Sequence, residues 1–114
     1  MQKPAIAAEF VGTAMLLATV VGSGIMGERL AGGNVAIALL ANALATGAVL
    51  VALIASFVQR SGAHFNPLVT LTEAAFKRLG WATASAYVVA QVLGAIAGVV
   101  AAHAMFDLPL LMES

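Results

Sequence analysis

A polar interruption, Ser61-Gly62-Ala63-His64-Phe65-Asn66-Pro67, separates two long apolar runs and constrains everything around it. Asn is a favoured helix N-cap and Pro suits the first helical position, so Asn66-Pro67 predicts a helix that begins there and runs through roughly Lys77 and Arg78. A helix of that length covers about 16 Å, half the hydrocarbon thickness of a bilayer, so it can enter a membrane without crossing it. The backbone from Ser61 to Phe65 is then irregular at membrane depth, which is tolerated only where protein surrounds it or water reaches it. The stretch reads as a re-entrant loop and half-helix beside a pore.

The membrane itself follows from composition, since 62% of the residues are apolar and 9% charged, against about 25% charged in soluble domains. A net charge of zero, with few and scattered basic residues, excludes nucleic acid as a partner. With no cysteine there is no disulfide framework, thiol chemistry or cysteine metal site. The first apolar run is too long for the h-region of a signal peptide and is expected to be a retained span.

The expected fold class is an all-α membrane protein with three transmembrane helices plus one re-entrant half-helix, in a single domain over residues 1–114. The spans fall at about 4–25, 35–58 and 82–106, and the re-entrant loop and half-helix at about 61–78. Gly22, Ser23, Gly24, Gly27, Glu28-Arg29 and Gly32-Gly33-Asn34 read as a breaker-rich first loop. Lys77 and Arg78 suit the negative end of the half-helix dipole, Gly80 is its expected C-cap, and Trp81 suits the membrane interface. Asp107 and Pro109 should stop the third span, leaving a tail, 110–114, too short to cross again. Lys3, Arg60, Lys77 and Arg78 on one side against Arg29 on the other predict a cytoplasmic N-terminus and an external C-terminus. A re-entrant half-helix needs neighbours to bury its irregular backbone, and this bundle is short of them.

The stretch from Ser61 to Thr70 closely resembles the first Asn-Pro-Ala loop of the aquaporins and aquaglyceroporins, the major intrinsic protein family. Glu9-Phe10-Val11-Gly12-Thr13 and Ala90-Gln91-Val92-Leu93-Gly94-Ala95-Ile96 resemble two further motifs of that family, in the expected order and spacing. The match covers only the first of the family's two inverted repeats, a half-aquaporin. The resemblance implies half of a channel for passive diffusion of water or small uncharged solutes, with no catalysis and no cofactor. Asn66, Pro67 and Leu68 would sit at the pore, the carbonyls of Gly62, Ala63 and His64 would form an acceptor ladder, and Thr46 would belong to the outer selectivity filter. Glu9 and Gln91 would support the loop from within, although Glu9 could instead snorkel to the interface and Gln91 could bond between helices.

Chemistry gives these roles content. If the Asn66 side-chain oxygen caps its own helix, its amide NH2 meets the pore as a donor and interrupts a proton-conducting water file. The half-helix N-terminus adds about half a positive charge at the midplane, opposing cations and protons. Two departures stand out: Leu68 replaces the usual Ala where two half-helix tips would meet, and Thr46 stands where an aromatic residue is common. A wider constriction follows, as in members associated with glycerol or neutral metalloid hydroxides such as arsenite. Any filter arginine belongs to the missing repeat. His64 and His103 lie on different elements, so no metal is assigned. Gly94 and Gly98 form a small-xxx-small pair suited to helix packing.

The expected partners are the lipid bilayer and a second, antiparallel copy, with four such pairs forming a larger assembly. A separate chain carrying the second repeat, or a nonconducting truncated subunit, are the alternatives. The expected location is a bacterial inner (plasma) membrane.

Overall fold

The computed structural model describes residues 2–106 as four helices: α1 Gln2–Leu30, α2 Val35–Ser61, α3 Pro67–Ala75 and α4 Trp81–Met105. All the regular structure among the described residues is helical. α1, α2 and α4 are long and apolar enough to cross a bilayer, whereas α3 has 9 residues and is not. The expected stops at Asp107 and Pro109 and the tail 110–114 lie outside the described residues. α4 ends ahead of them at Met105, with Phe106 as its C-cap.

α1 is the central element, packed on α2 along one side and on α4 along the other, while α3 rests on α4. Side-chain volume sets the closeness of the α1–α4 seam. A Cβ added at Gly94 would overlap the Phe10 carbonyl, and one at Gly98 the Ala14 carbonyl. Two glycines one turn apart on α4 therefore sit on two carbonyls one turn apart on α1, and the helices run parallel. In lipid, where apolar burial gives little drive for helix association, such close approach lets dispersion forces act over the whole seam.

The expected first loop is largely helix. α1 continues through Gly22, Ser23, Gly24 and Gly27 to Leu30 because these small residues serve its packing. Gly22 faces the Phe106 ring, Gly24 the Asn42 amide and Gly27 the backbone of Ala38. These contacts offset the helix penalty of glycine, about 1 kcal/mol each. The true connection is 31–34, where Gly32 and Gly33 take positive φ of 60° and 87°. Asn34 then caps α2, its Oδ1 accepting the Ile37 N–H at 3.1 Å. Asn42 joins α2 to α1 by donating from Nδ2 to the Val20 carbonyl at 2.9 Å. Across the far ends of α1 and α4, Arg29 donates to the Phe106 carbonyl at 3.2 Å and lies 5.3 Å from its ring centroid.

The end of the half-helix also differs from expectation. α3 stops at Ala75, and Lys77, with φ +62°, takes the left-handed position expected of Gly80. Arg78 N–H returns to the Glu73 carbonyl at 2.9 Å and Lys77 N–H to the Ala74 carbonyl at 3.0 Å, a Schellman closure. Gly80, with φ −67° and ψ 148°, is instead the N-cap residue of α4. The turn is thus tight, and it brings α4 into the bilayer directly beside α3.

Candidate functional site

α2 ends in a left-handed Gly62, φ 86°, whose N–H closes on the Val58 carbonyl at 2.9 Å. Two residues with side chains follow in the same region, Ala63 at φ 54° and Phe65 at φ 53°. Each such residue costs on the order of 1–3 kcal/mol and persists only when its surroundings hold it there. Glu9 is what holds it. Its side chain is fully buried rather than turned back to the interface. Oε2 accepts from Ser61 Oγ at 2.6 Å and His64 N–H at 3.1 Å, and Oε1 from Phe65 N–H and Gln91 Nε2, both at 2.8 Å. A carboxylate offers about four acceptor sites, and all four are met by donors. Ser61 Oγ in turn accepts the Ala63 N–H at 3.2 Å.

A second tier braces the first. Gln91 Nε2 directs its other proton to Thr70 Oγ1 at 2.9 Å, and Thr70 Oγ1 lies 2.8 Å from His64 Nδ1. Gln91 therefore reaches the loop through Glu9 and Thr70, and makes no direct bond to its backbone. Aiming both amide protons this way leaves Gln91 Oε1 buried with no partner among the described residues. Tyr87 donates to the Ser61 carbonyl at 2.9 Å, and its ring meets that of His64 edge-on at 5.2 Å. The buried Phe65 ring fills the space over Gly12, where any Cβ would collide with it, and packs edge-on to Phe57 at 6.1 Å.

The opposite flank of the loop is open. The carbonyls of Gly62, Ala63 and His64 accept no hydrogen bond from the described residues, and Gly62 is exposed. Asn66, φ −155° and ψ 127°, caps α3 with Oδ1 accepting the Leu68 N–H at 2.8 Å, and Pro67 occupies the first turn. With the oxygen engaged and the residue exposed, the NH2 of Asn66 has no hydrogen-bond partner among the described residues and is left as a donor. Leu68 is 71% exposed at the tip of α3.

Thr46 lies on α2, half-buried, with its hydroxyl 3.5 Å from Asn42 Oδ1. Helical spacing puts it on the same stripe as the buried Leu53 and as Phe57, whose ring meets the loop at Phe65. Sequence reasoning singled out Glu9 and Gln91 as supports and Gly62 and Asn66 on the loop; the structure bonds Gln91 to Glu9 and Glu9 to the loop backbone, while Gly62 and Asn66 lie on the other, open flank. Sequence reasoning missed Ser61, Thr70 and Tyr87 as members of the network and Gly12 as the seat of Phe65. One signal could have found Tyr87: it stands one turn ahead of Gln91, in line with Gly94 and Gly98, all buried on one face of α4.

A short helix that begins inside a three-span bundle on an Asn-Pro cap, its loop pinned to a buried glutamate, defines a membrane protein of the re-entrant-loop class. Comparison with known proteins then fixes the family. The profile described as Major intrinsic protein matches residues 2–109, and the chain belongs to that family. It is 55% identical over 102 residues to the aquaglyceroporin AqpS of Rhizobium meliloti (strain 1021), a match covering 90% of this chain and 43% of that protein. It is 36% identical over 101 residues to the probable aquaporin NIP5-1 of Arabidopsis thaliana, covering 89% and 32% respectively. For the aquaglycerol porin AQY3 of Saccharomyces cerevisiae (strain ATCC 204508 / S288c) the identity is 33% over 99 residues, covering 87% and 15%. The chain spans less than half the length of each of these relatives.

Proposed function

We propose that this chain is one half of a channel for passive diffusion of water or small uncharged solutes, completed by a second copy inserted in the opposite orientation. The observation that supports it best is the two-sided loop. Its N–H groups at His64 and Phe65 are consumed on Glu9, while the carbonyls of Gly62, Ala63 and His64 and the NH2 of Asn66 remain for solute. A solute passing this flank would donate to the carbonyls and then accept from Asn66, which suits water and hydroxylated neutral molecules. The positive end of α3 opposes cations at the same level. Thr46, smaller than an aromatic residue, leaves room in the outer constriction for glycerol-like solutes or neutral metalloid hydroxides.

An inverted copy supplies the missing wall, bringing two α3 tips together near the midplane with two Asn66 side chains beside one pore. A parallel copy cannot do this. The favoured setting is an inner (plasma) membrane, and an inverted pair requires insertion in both orientations. Lys3, Arg60, Lys77 and Arg78 against Arg29 favour the N-in orientation. That bias supports a second reading, in which a separate chain carries the other repeat.

Proteoliposomes containing this chain alone separate the two. Stopped-flow swelling together with disulfide cross-linking of Leu68→Cys is expected from the inverted pair. Absence of swelling from membrane-inserted protein would overturn self-completion. Swelling without any cross-link at position 68 would overturn the tip-to-tip arrangement.

A further inference from the structure

Between α1 and α4 lies an open groove of about 660 Å³, lined by no residue of the loop and almost wholly by apolar groups. Its walls include Ile6 and Phe10 from α1 and Val89 and Leu93 from α4, and its two ends differ. Lys3 and Ser85 stand at one end, at the start of both parallel helices, while Val11 and Leu93 close the other. From Lys3 to Val11 the helical rise is about 12 Å, the depth of most of one leaflet's hydrocarbon.

We propose that this groove binds an anionic phospholipid of the N-terminal leaflet, one acyl chain lying along Phe10, Val89 and Leu93 and the phosphate at the Lys3 ammonium. Charge placement selects this occupant. Lys3 is exposed and forms no ion pair among the described residues, so its charge is free for an anion. The hydroxyl of Ser85 is already spent on the Trp81 carbonyl at 2.9 Å, which leaves Lys3 as the donor at the mouth. The cation sits where headgroups lie, and the apolar walls run only inward from it, which is the polarity of a phospholipid and not of a transmembrane helix. Arg78 does not line the groove and is paired with Glu73 at 2.7 Å. This site lies apart from the loop and stands or falls independently of the channel reading.

Trp81, the one tryptophan of the chain, is exposed one helical turn ahead of Ser85 and reports on the mouth of the groove. The full chain is reconstituted in phosphatidylcholine vesicles, and Trp81 quenching is titrated with phosphatidylglycerol or phosphatidylcholine brominated on the acyl chain. The brominated anionic lipid is expected to bind about fivefold more strongly, the preference typical of one basic residue at a membrane surface. Lys3→Gln should abolish the preference and Lys3→Arg restore it. Lys77→Gln and Arg60→Gln should leave it in place. Equal quenching by both lipids, or a preference that follows Lys77 instead of Lys3, overturns the proposal. So does failure of either lipid to quench in vesicles where the protein is inserted, because the groove is then covered by protein.

Discussion

The two flanks of the loop between α2 and α3 are built to opposite rules. On the inner flank every donor is matched: Ser61, His64, Phe65 and Gln91 converge on Glu9, and Thr70 and Tyr87 brace them. On the outer flank the carbonyls of Gly62, Ala63 and His64 and the NH2 of Asn66 carry no protein partner among the described residues. The contrast teaches that one flank does the holding so that the other can stay open. A left-handed Ala63 and Phe65 would relax without the inner bonds, and the outer groups would then be lost to ordinary backbone pairing. Changes on the inner flank should therefore cost stability, and changes on the outer flank should leave it nearly intact and bear only on the solute path proposed there.

The largest expected effect is that of Glu9→Gln. The side chain keeps its shape, but its NH2 faces donors it cannot accept from, leaving buried N–H or O–H groups unmatched. A loss of about 3 kcal/mol or more is expected, read as a large drop in thermal midpoint of the detergent-solubilised protein. A midpoint unchanged from the parent chain would mean that the loop holds itself. Next, Gly98→Leu puts a side chain against the Ala14 carbonyl and forces α4 away from α1. It should cost about 1–3 kcal/mol, and the loop should loosen with it because Gln91 shares the same face of α4. Hydrogen exchange at His64 and Phe65 should rise in this variant, and protection equal to the parent would uncouple seam from loop.

Tyr87→Phe is milder. It removes the donor to the Ser61 carbonyl without creating a clash, and about 1 kcal/mol is expected by the same thermal measurement. The smallest stability effect belongs to the outer flank. Asp is as good a helix cap as Asn, so Asn66→Asp should shift stability by no more than about a few tenths of a kcal/mol. It replaces a donor with a carboxylate at the positive end of α3, and cation leak in a vesicle flux assay should increase. A destabilised Asn66→Asp protein, or one with unchanged leak, would break the division between the two flanks.

Much of this was written in local residue order. Asn66-Pro67 specifies where α3 begins, because N-cap geometry and the fixed φ of proline act within a few residues, and the observed cap bond to Leu68 follows from that. Apolar runs long enough to cross a bilayer locate α2 and α4 closely, since hydrocarbon thickness is a length requirement that any sufficiently apolar helix meets. The length of α1 and the end of α3 were not legible in this way. Glycine reads as a breaker by local propensity alone, yet Gly22, Gly24 and Gly27 stay helical because α2 and Phe106 lie against them. Lys77 rather than Gly80 turns left-handed because closing α3 tightly onto α4 matters more than the strain of one side chain. The Glu9 network was decided last and furthest from the sequence. Glu9, Ser61, Thr70 and Gln91 come from four separate stretches, and only the close glycine seam between α1 and α4 brings a carboxylate within bonding distance of a loop more than fifty residues away, as the 2.8 Å bond from Phe65, with its sequence separation of 56, records.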